Sequence, residues 1–505
     1  MYGDDMNYIV TQKDVDLLMQ STKELYYKLE LLNKDYKILD YIDGNLINDN
    51  ISIDSTSNVR RTYTCTIYVE NSSFILDKSS RIWFDKLVRP KIGIYSQRYR
   101  EIIWYCLGTF LYTDLNYSYD QSSRTLQLTC LDLMCMLDDS RNGQIPDYKR
   151  TILAGTDARE IVISLLKEFG ITKYFIEFNL NGTPISTFNI ESDKTYESGA
   201  TAYTIIKDIC SLYPGTQMYF DIDGTFIISR IPTGKNEINV LTDEILQPIL
   251  IDEQINTSTT SVYNHIKIYG KQNSPDYFTR DVTCNNNVYC ANVVTYQFDE
   301  NQAIYVEISY GGKINNLEVF ALNVPCTNLS VQYININNVE NIPIVNEKGE
   351  NLPEGLLEPG IDYLFRYRKE SNDFLFIGTY QIIGEAYLSN NLNNTDGYAV
   401  IQDNDFAVEV IGDRLKVLSG SDYDSISTNS FCNQRARLEL YNATNMQETL
   451  SISTIAIPWI DVNTKVEFTS NITKRKAEYI ITNISCDYST YQMSISLSRF
   501  YPDYI

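Results

Sequence analysis

Residues 60–69 read RRTYTCTIYV, and their alternation decides the fold class. Tyr63, Cys65, Ile67 and Val69 fall on one side of an extended chain, and Thr62, Thr64, Thr66 and Tyr68 on the other. Successive side chains of a strand point to opposite faces, so the stretch reads as a strand with one face on a core. The pattern continues outward. KIGIYS (91–96) is followed by the long run EIIWYCLGTFLYTDLNYSY (101–119), a turn at Asp120-Gln121-Ser122-Ser123, and TLQLTCLDL (125–133). Period-two runs with short polar turns indicate a meander or barrel.

Composition points the same way. The chain has 40 Tyr and is rich in Ile, Thr, Asn and Ser. Tyr, Ile and Thr suit half-buried pleated surfaces, and Asn and Asp suit turns. At roughly 150 residues per domain, 505 residues imply two to four domains. The net charge of −23 repels nucleic acid and anionic membranes at long range. Tight DNA binding needs a basic stripe, and the richest basic run is Lys474-Arg475-Lys476. That charge serves solubility, or a surface past which DNA slides without sticking. The start, MYGDDMNYIV, lacks a signal-peptide pattern, and no run of 18 apolar residues occurs, so neither secretion by a signal peptide nor a membrane span is expected. The ten Cys include no CxxC pair. Cys65, Cys106, Cys130, Cys210 and Cys486 lie in apolar or alternating runs, which fits a reduced chain assembled in a cytoplasm.

The remaining segments divide the chain. Residues 11–34 read as a helix opened by Thr11 and Asp14. Val15, Leu18, Thr22, Leu25, Leu29 and Leu32 recur at spacings of three and four, a narrow seam that lies on its own domain or packs against another chain. Leu18, Leu25, Leu29 and Leu32 are therefore candidate oligomer-interface residues. Asp157 and Glu160 cap a helix ended by Gly170, a second helix covers 200–213, and Asp223-Gly224 turns the hairpin TQMYFDIDGTFIISRI. The expected units are an N-terminal helical arm (1–36), a first β-barrel domain (37–147) and an α+β module (148–235). A connection with the re-entry strand of a second barrel (236–274), an inserted β domain (275–430) and the second β-barrel domain (431–505) follow. The fold class is mainly β with an α+β module.

The two ends resemble each other. Trp83 precedes PKIGIYS and Trp459 precedes TKVEFTS, setting Lys91, Ile92, Ile94 and Ser96 against Lys465, Val466, Phe468 and Ser470. Phe110, Thr113, Asp114, Leu115 and Tyr119 then match Tyr479, Thr482, Asn483, Ile484 and Tyr488. A turn and an alternating strand follow each time, TLQLTCL and QMSISLS. Two similar barrel units in one chain can sit side by side, so three chains would supply six.

Several stretches resemble the tail-hub (baseplate-hub) family of tailed bacteriophages. They are SNVRRTYTCTIYV (57–69), YCLGTFLYTDLNYSYDQSSRTLQLTCLDLMCMLD (105–138) and VYNHIKIYG (262–270), with PGIDYLFRYRKESNDFLFIGTYQI (359–382), AIPWIDVNTKVEF (456–468) and YIITNISCDYSTYQMSISLSRFYPDY (479–504). The last three are similar to hub proteins from phages of low-GC Gram-positive hosts. The resemblance implies tail-tube-like barrels, a homotrimeric ring at the tail tip of the virion, a distal tail or tube protein above, tip or receptor-binding proteins below, and DNA passing through without specific binding.

Catalytic signatures are missing. His265, the single histidine, lies in an alternating strand and reads as structural, so a Ser-His-Asp or Cys-His site would need this one residue. Cys130 with Cys135 and Cys284 with Cys290 are not spaced as zinc ligands. Asp221-Ile222-Asp223-Gly224 reads as a hairpin turn rather than a calcium loop. Asp403-Asn404-Asp405 and Asp422-Tyr423-Asp424 are acidic loop clusters open to Ca²⁺. No phosphate-cradling glycine loop occurs. No enzyme activity and no cofactor are expected. The rival reading is a glycan-binding or glycan-cleaving tail protein (a tail-associated hydrolase or host-surface adhesin), since glycoside hydrolysis needs only two carboxylates.

Overall fold

The structure, a computed structural model, describes residues 10–499 apart from short internal segments, the longest of them 271–282 and 309–318. Residues 11–34 do not form one helix. Helix α1 is short (Gln12–Met19), and at its start the Asp14 carboxylate accepts hydrogen bonds from the Thr11 N–H (2.9 Å) and hydroxyl (2.7 Å). The chain then straightens into β1 (Leu25–Leu32). The seam carried two periods at once: Leu25, Leu29 and Leu32 fit a helix, while Leu25, Tyr27, Leu29 and Leu31 alternate. The strand wins because it finds backbone partners on both sides, and its last four residues are buried on both faces. Even Glu30 is inside, paired with Lys91 at 2.9 Å. Leu18, Leu29 and Leu32 thus belong to the chain's own core, with Leu25 half-buried beside it, and the helical arm with an oligomer seam is not formed.

Strands β2 (Ile38–Asp43), β3 (Leu46–Asp54), β4 (Arg61–Tyr68), β5 (Leu87–Ser96), β6 (Glu101–Cys106), β7 (Phe110–Tyr119) and β8 (Arg124–Asp132) follow. In β4 the alternation holds, with Arg61, Tyr63, Cys65 and Ile67 buried and the threonines between them half-buried. The run 101–119 is two strands, broken where Gly108 takes φ +147°. A Cβ there would meet the Phe110 ring at 2.7 Å.

The α+β module packs helices α2 (Ala158–Glu168) and α3 (Ala202–Ser211) with the hairpin β9 (Thr216–Phe220) and β10 (Phe226–Arg230) around Leu166, Ile205, Ile209, Phe220 and Phe226. The Asp157 carboxylate accepts from the Arg159 N–H at 2.7 Å, and Gly170 ends α2 at φ +76°.

Strand β11 (Leu250–Thr257) returns the chain to the first sheet. NHIKIYG, expected in that role, forms β12 (His265–Tyr269) in a separate four-stranded sheet with β13 (Ile383–Ser389), β14 (Ala399–Gln402) and β15 (Leu415–Leu418). Helix α4 (Asn429–Asn445), expected in the second barrel, covers that sheet with Cys432, Ala436 and Leu440. The inserted domain is narrower than 275–430: a nine-stranded sheet lies between Thr283 and Thr379 around Phe320, Phe365 and Phe374. Alternation shows that a strand has a buried face but not which sheet supplies its neighbours, hence both misplacements.

The chain closes with β16 (Glu448–Ile455), β17 (Lys465–Thr469), β18 (Lys476–Asp487) and β19 (Gln492–Arg499). One 13-stranded sheet contains both ends, in the order β11-β16-β19-β18-β3-β4-β8-β7-β5-β1-β2, with β17 on β18 and β6 on β5. It holds the same arrangement twice: β3-β4-β8-β7-β5 and β11-β16-β19-β18-β17. The copies agree residue by residue. Asn50, Thr64, Thr129 and Asp114 stand abreast in one, and Gln254, Ser451, Ser496 and Asn483 in the other. Each outer strand bulges at the same place, between Tyr112 and Asp114 and between Ile481 and Asn483. There the Thr113 hydroxyl donates to the Thr129 carbonyl (3.3 Å) and the Thr482 hydroxyl to the Ser496 carbonyl (3.2 Å). The turns repeat as well: Asp120 accepts from the Ser122 N–H (2.7 Å), and Asp487 from the Ser489 N–H (2.8 Å). One register differs from the sequence match. Val88 opposes Phe110 and Val466 opposes Tyr479, so Val88, not Ile92, corresponds to Val466, a shift that keeps the same face.

Because Leu29 is fully buried, Leu29→Ala should lower unfolding stability by about 2–5 kcal/mol in urea titration, and half-buried Leu25→Ala by clearly less. A merely interfacial role would leave the isolated chain unaffected by either change.

Candidate functional site

The side chains that could carry chemistry are dispersed. Among the described residues no group of three or more His, Cys, Asp or Glu is placed to hold a metal. His265 sits on β12 with Nε2 2.6 Å from Glu385 and Nδ1 2.9 Å from Asp413, and Lys267 Nζ lies 3.8 Å from Glu385. The ring thereby ties β12 to β13 and to the turn before β15. Cys130 and Cys135 are buried free thiols, and burial pushes Cys135 up to about 12. Cys284 and Cys290 lie on adjacent short strands. Asp221 accepts from the Asp223 (2.9 Å) and Thr225 (2.7 Å) N–H groups and is spent in its hairpin turn. Asp403 is likewise engaged by the Asp405 and Phe406 N–H groups. Asp422 and Asp424 lie outside the described residues.

Two buried polar clusters stand out instead, and both join parts of the chain. The first surrounds Arg61 and Arg60. Arg61 donates to the Phe220 carbonyl (2.5 Å) and pairs with Asp461, while its N–H donates to Asp132 (2.8 Å). Arg60 donates to Gln217 Oε1 (2.7 Å) and stacks 3.8 Å from the centre of the Tyr219 ring. Asn463 donates to the same Gln217 oxygen (2.6 Å). One arginine pair thus holds the first half of the sheet, the α+β hairpin and a loop of the second half together. The doublet Arg60-Arg61 opens the stretch that decided the fold class, yet only its place in an otherwise apolar alternation marked it as unusual.

The second cluster lies where the halves meet. β3 pairs antiparallel with β18: Ile53 opposes Ile484, Ser52 opposes Ser485, and Ile51 opposes Cys486. Ser55 donates from both N–H and hydroxyl to the carbonyl of the bulged Thr482, 3.0 Å each. Asp49 is buried just beyond, its carbonyl accepting from the Tyr488 N–H (3.1 Å), while Tyr27 donates to the Tyr488 carbonyl (2.8 Å). Burial pushes the Asp49 carboxyl up to about 7; the Tyr63 hydroxyl at 3.3 Å opposes the shift and Asp487 adds to it. Asp49 extends the inward face of Ile51 and Ile53, a placement that strict alternation would have revealed.

Among the described residues several edges of the sheet lack a neighbouring strand: the outer sides of β2 and β6, the outer side of β11, and β7 beyond Phe110. Tyr117 and Tyr119 on β7 are 43% and 71% exposed.

The fold is shared with one solved tail protein. The 43 kDa tail protein of prophage MuSo2 from Shewanella oneidensis aligns over 95% of this chain and 99% of its own, with a TM-score of 0.50 at 13% identity, a likeness of fold. The tail protein from Neisseria meningitidis MC58 aligns over 94% of this chain and 98% of its own (TM-score 0.46, 10% identity). Prophage tail protein gp18 from Listeria monocytogenes EGD-e aligns over 93% and 94% (TM-score 0.42, 11% identity). Residues 403–504 match a family described as a domain of unknown function, DUF5048. No curated protein matches the sequence.

Two predictions follow from the clusters. Asp49 ionises near its ordinary 3.8 when unfolded and near 7 when folded, so the stability linked to it is complete below about pH 4 and lost as pH rises through 7. Asp49→Asn should flatten the fall in urea midpoint between pH 4 and 7. Asp461→Ala leaves the fully buried Arg61 guanidinium without its carboxylate and should cost about 3–5 kcal/mol in the same titration. Arg61→Met, which removes the buried charge and keeps the apolar stem, should cost less, because the Asp461 carboxylate left behind is one-third exposed.

Proposed function

We propose that this chain is a structural protein of a bacteriophage tail, a hub subunit that closes as a homotrimer into a ring at the distal end of the tail tube. The observation that carries the reading is the duplicated strand order, with its two copies side by side in one sheet. A trimer of such chains presents six similar units, so an object of three-fold symmetry can seat on a six-fold tube. Each copy would be a tube-like barrel unit, with a distal tail or tube protein above and the tip or receptor-binding apparatus below. The ring would leave a channel for the genome. A net charge of −23 suits its wall, because DNA is repelled rather than held. The fold shared with the MuSo2 tail protein supports this assignment. The dispersal of chemistry-bearing side chains fits a mechanical role and a place in the virion.

The test is mass and projected symmetry of the purified full chain, by light scattering and negative-stain class averages. The expected result is a three-chain particle whose views down the axis show six similar lobes around a hole. A chain that stays monomeric at high concentration and releases sugars from cell-wall glycan would replace this reading with a tail-associated hydrolase.

A further inference from the structure

Within one chain, β3 of the first copy pairs with β18 of the second. The copy of β3 is β11, and the copy of β18 is β7, as the matched ladders establish. Among the described residues, both β11 and the part of β7 beyond Phe110 are open on the corresponding edge. The chain therefore carries one completed junction and, on β11 and on the outer part of β7, the separate halves of a second.

We propose that β11 of one chain pairs antiparallel with the outer part of β7 of a second copy of this chain, in the register of the internal junction. Ser52 opposite Ser485 becomes Asn256 opposite Asn116; Ile51 opposite Cys486 becomes Ile255 opposite Tyr117; Asn50 opposite Asp487 becomes Gln254 opposite Ser118. This deepens the ring assignment and rests on it only for the number of chains, since edge pairing by itself permits a closed ring or an open filament.

Burial supports the register. In the internal junction Ile51, Ile53, Ile484 and Cys486 are all within 6% exposure. Their counterparts Ile255 and Leu115 are only partly covered against the same core, and Tyr117 is exposed. The half-covered residues lie on the face that a neighbour's strand would finish covering. Unpaired strand edges are templates for such addition. The same register carried outward sets Asp252 opposite Asp120, so like charges approach and association should strengthen with salt.

The test is disulfide trapping in the full chain. Asn116→Cys and Asn256→Cys are introduced at exposed positions, with Ser118→Cys in place of Asn116→Cys as an off-register control and the unmodified chain as a thiol background. Mixed single variants should give a two-chain covalent product on mild oxidation. The double variant should give two- and three-chain products that stop at three, and the off-register pair at least tenfold less. A ladder continuing past three chains keeps the pairing and overturns the trimer. A three-chain particle by light scattering that gives no in-register product overturns the pairing and keeps the trimer. A monomer with no product at high concentration overturns both.

Discussion

The antiparallel contact between β3 and β18 turns two strand sets into one sheet. It joins residues separated by more than four hundred positions, as the 3.0 Å bond from Ser55 to Thr482 illustrates. Neither half can complete its core without it, because Ile51, Ile53, Ile484 and Cys486 are covered only when the strands are adjacent. Contacts of such sequence separation close late in folding, after the loop entropy between them has been paid. The sheet is therefore finished only once the C-terminal strands exist. The buried Asp49 beside the contact makes its strength depend on proton activity, a device the apolar pairs alone would not provide.

Arg60 and Arg61 solve a different problem. A duplicated sheet with a module threaded between its copies needs the module held at a fixed angle. Hydrophobic contact gives area but little direction. A buried guanidinium fixed by the Phe220 carbonyl and Asp461 gives direction, because each donor must point at its acceptor. The Tyr219 ring over Arg60 adds a flat seat that keeps the hairpin from sliding.

Much of this was legible in the chain. The β class, the hairpin at Asp223-Gly224, the cap at Asp157 and the match of Phe110–Tyr119 with Tyr479–Tyr488 were carried by local chemistry: alternation, turn residues and a shared Thr at a bulge. The failures have one cause. Leu25–Leu32 carried two periods, and only the neighbouring backbones of β2 and β5 chose between them. His265–Tyr269 alternates like any strand, and nothing in its own residues told which sheet would receive it. The open flanks could not be read at all, because an edge is defined by what fails to pair with it.

The two copies differ most in one hairpin. β3 and β4 are joined by the short turn Ser55–Arg60, whereas β11 and β16, in the same places, are joined through residues 258–447. Closing a loop costs only about 0.6 kcal/mol for each doubling of its length, so even roughly five doublings ask for about 3 kcal/mol. The intervening segment also folds on its own cores around Phe320 and Ile266, so its ends come back already close. A single β-turn has thus become a mounting bracket. The cargo it bears can be enlarged, trimmed or exchanged over evolutionary time while the frame that carries it keeps its shape.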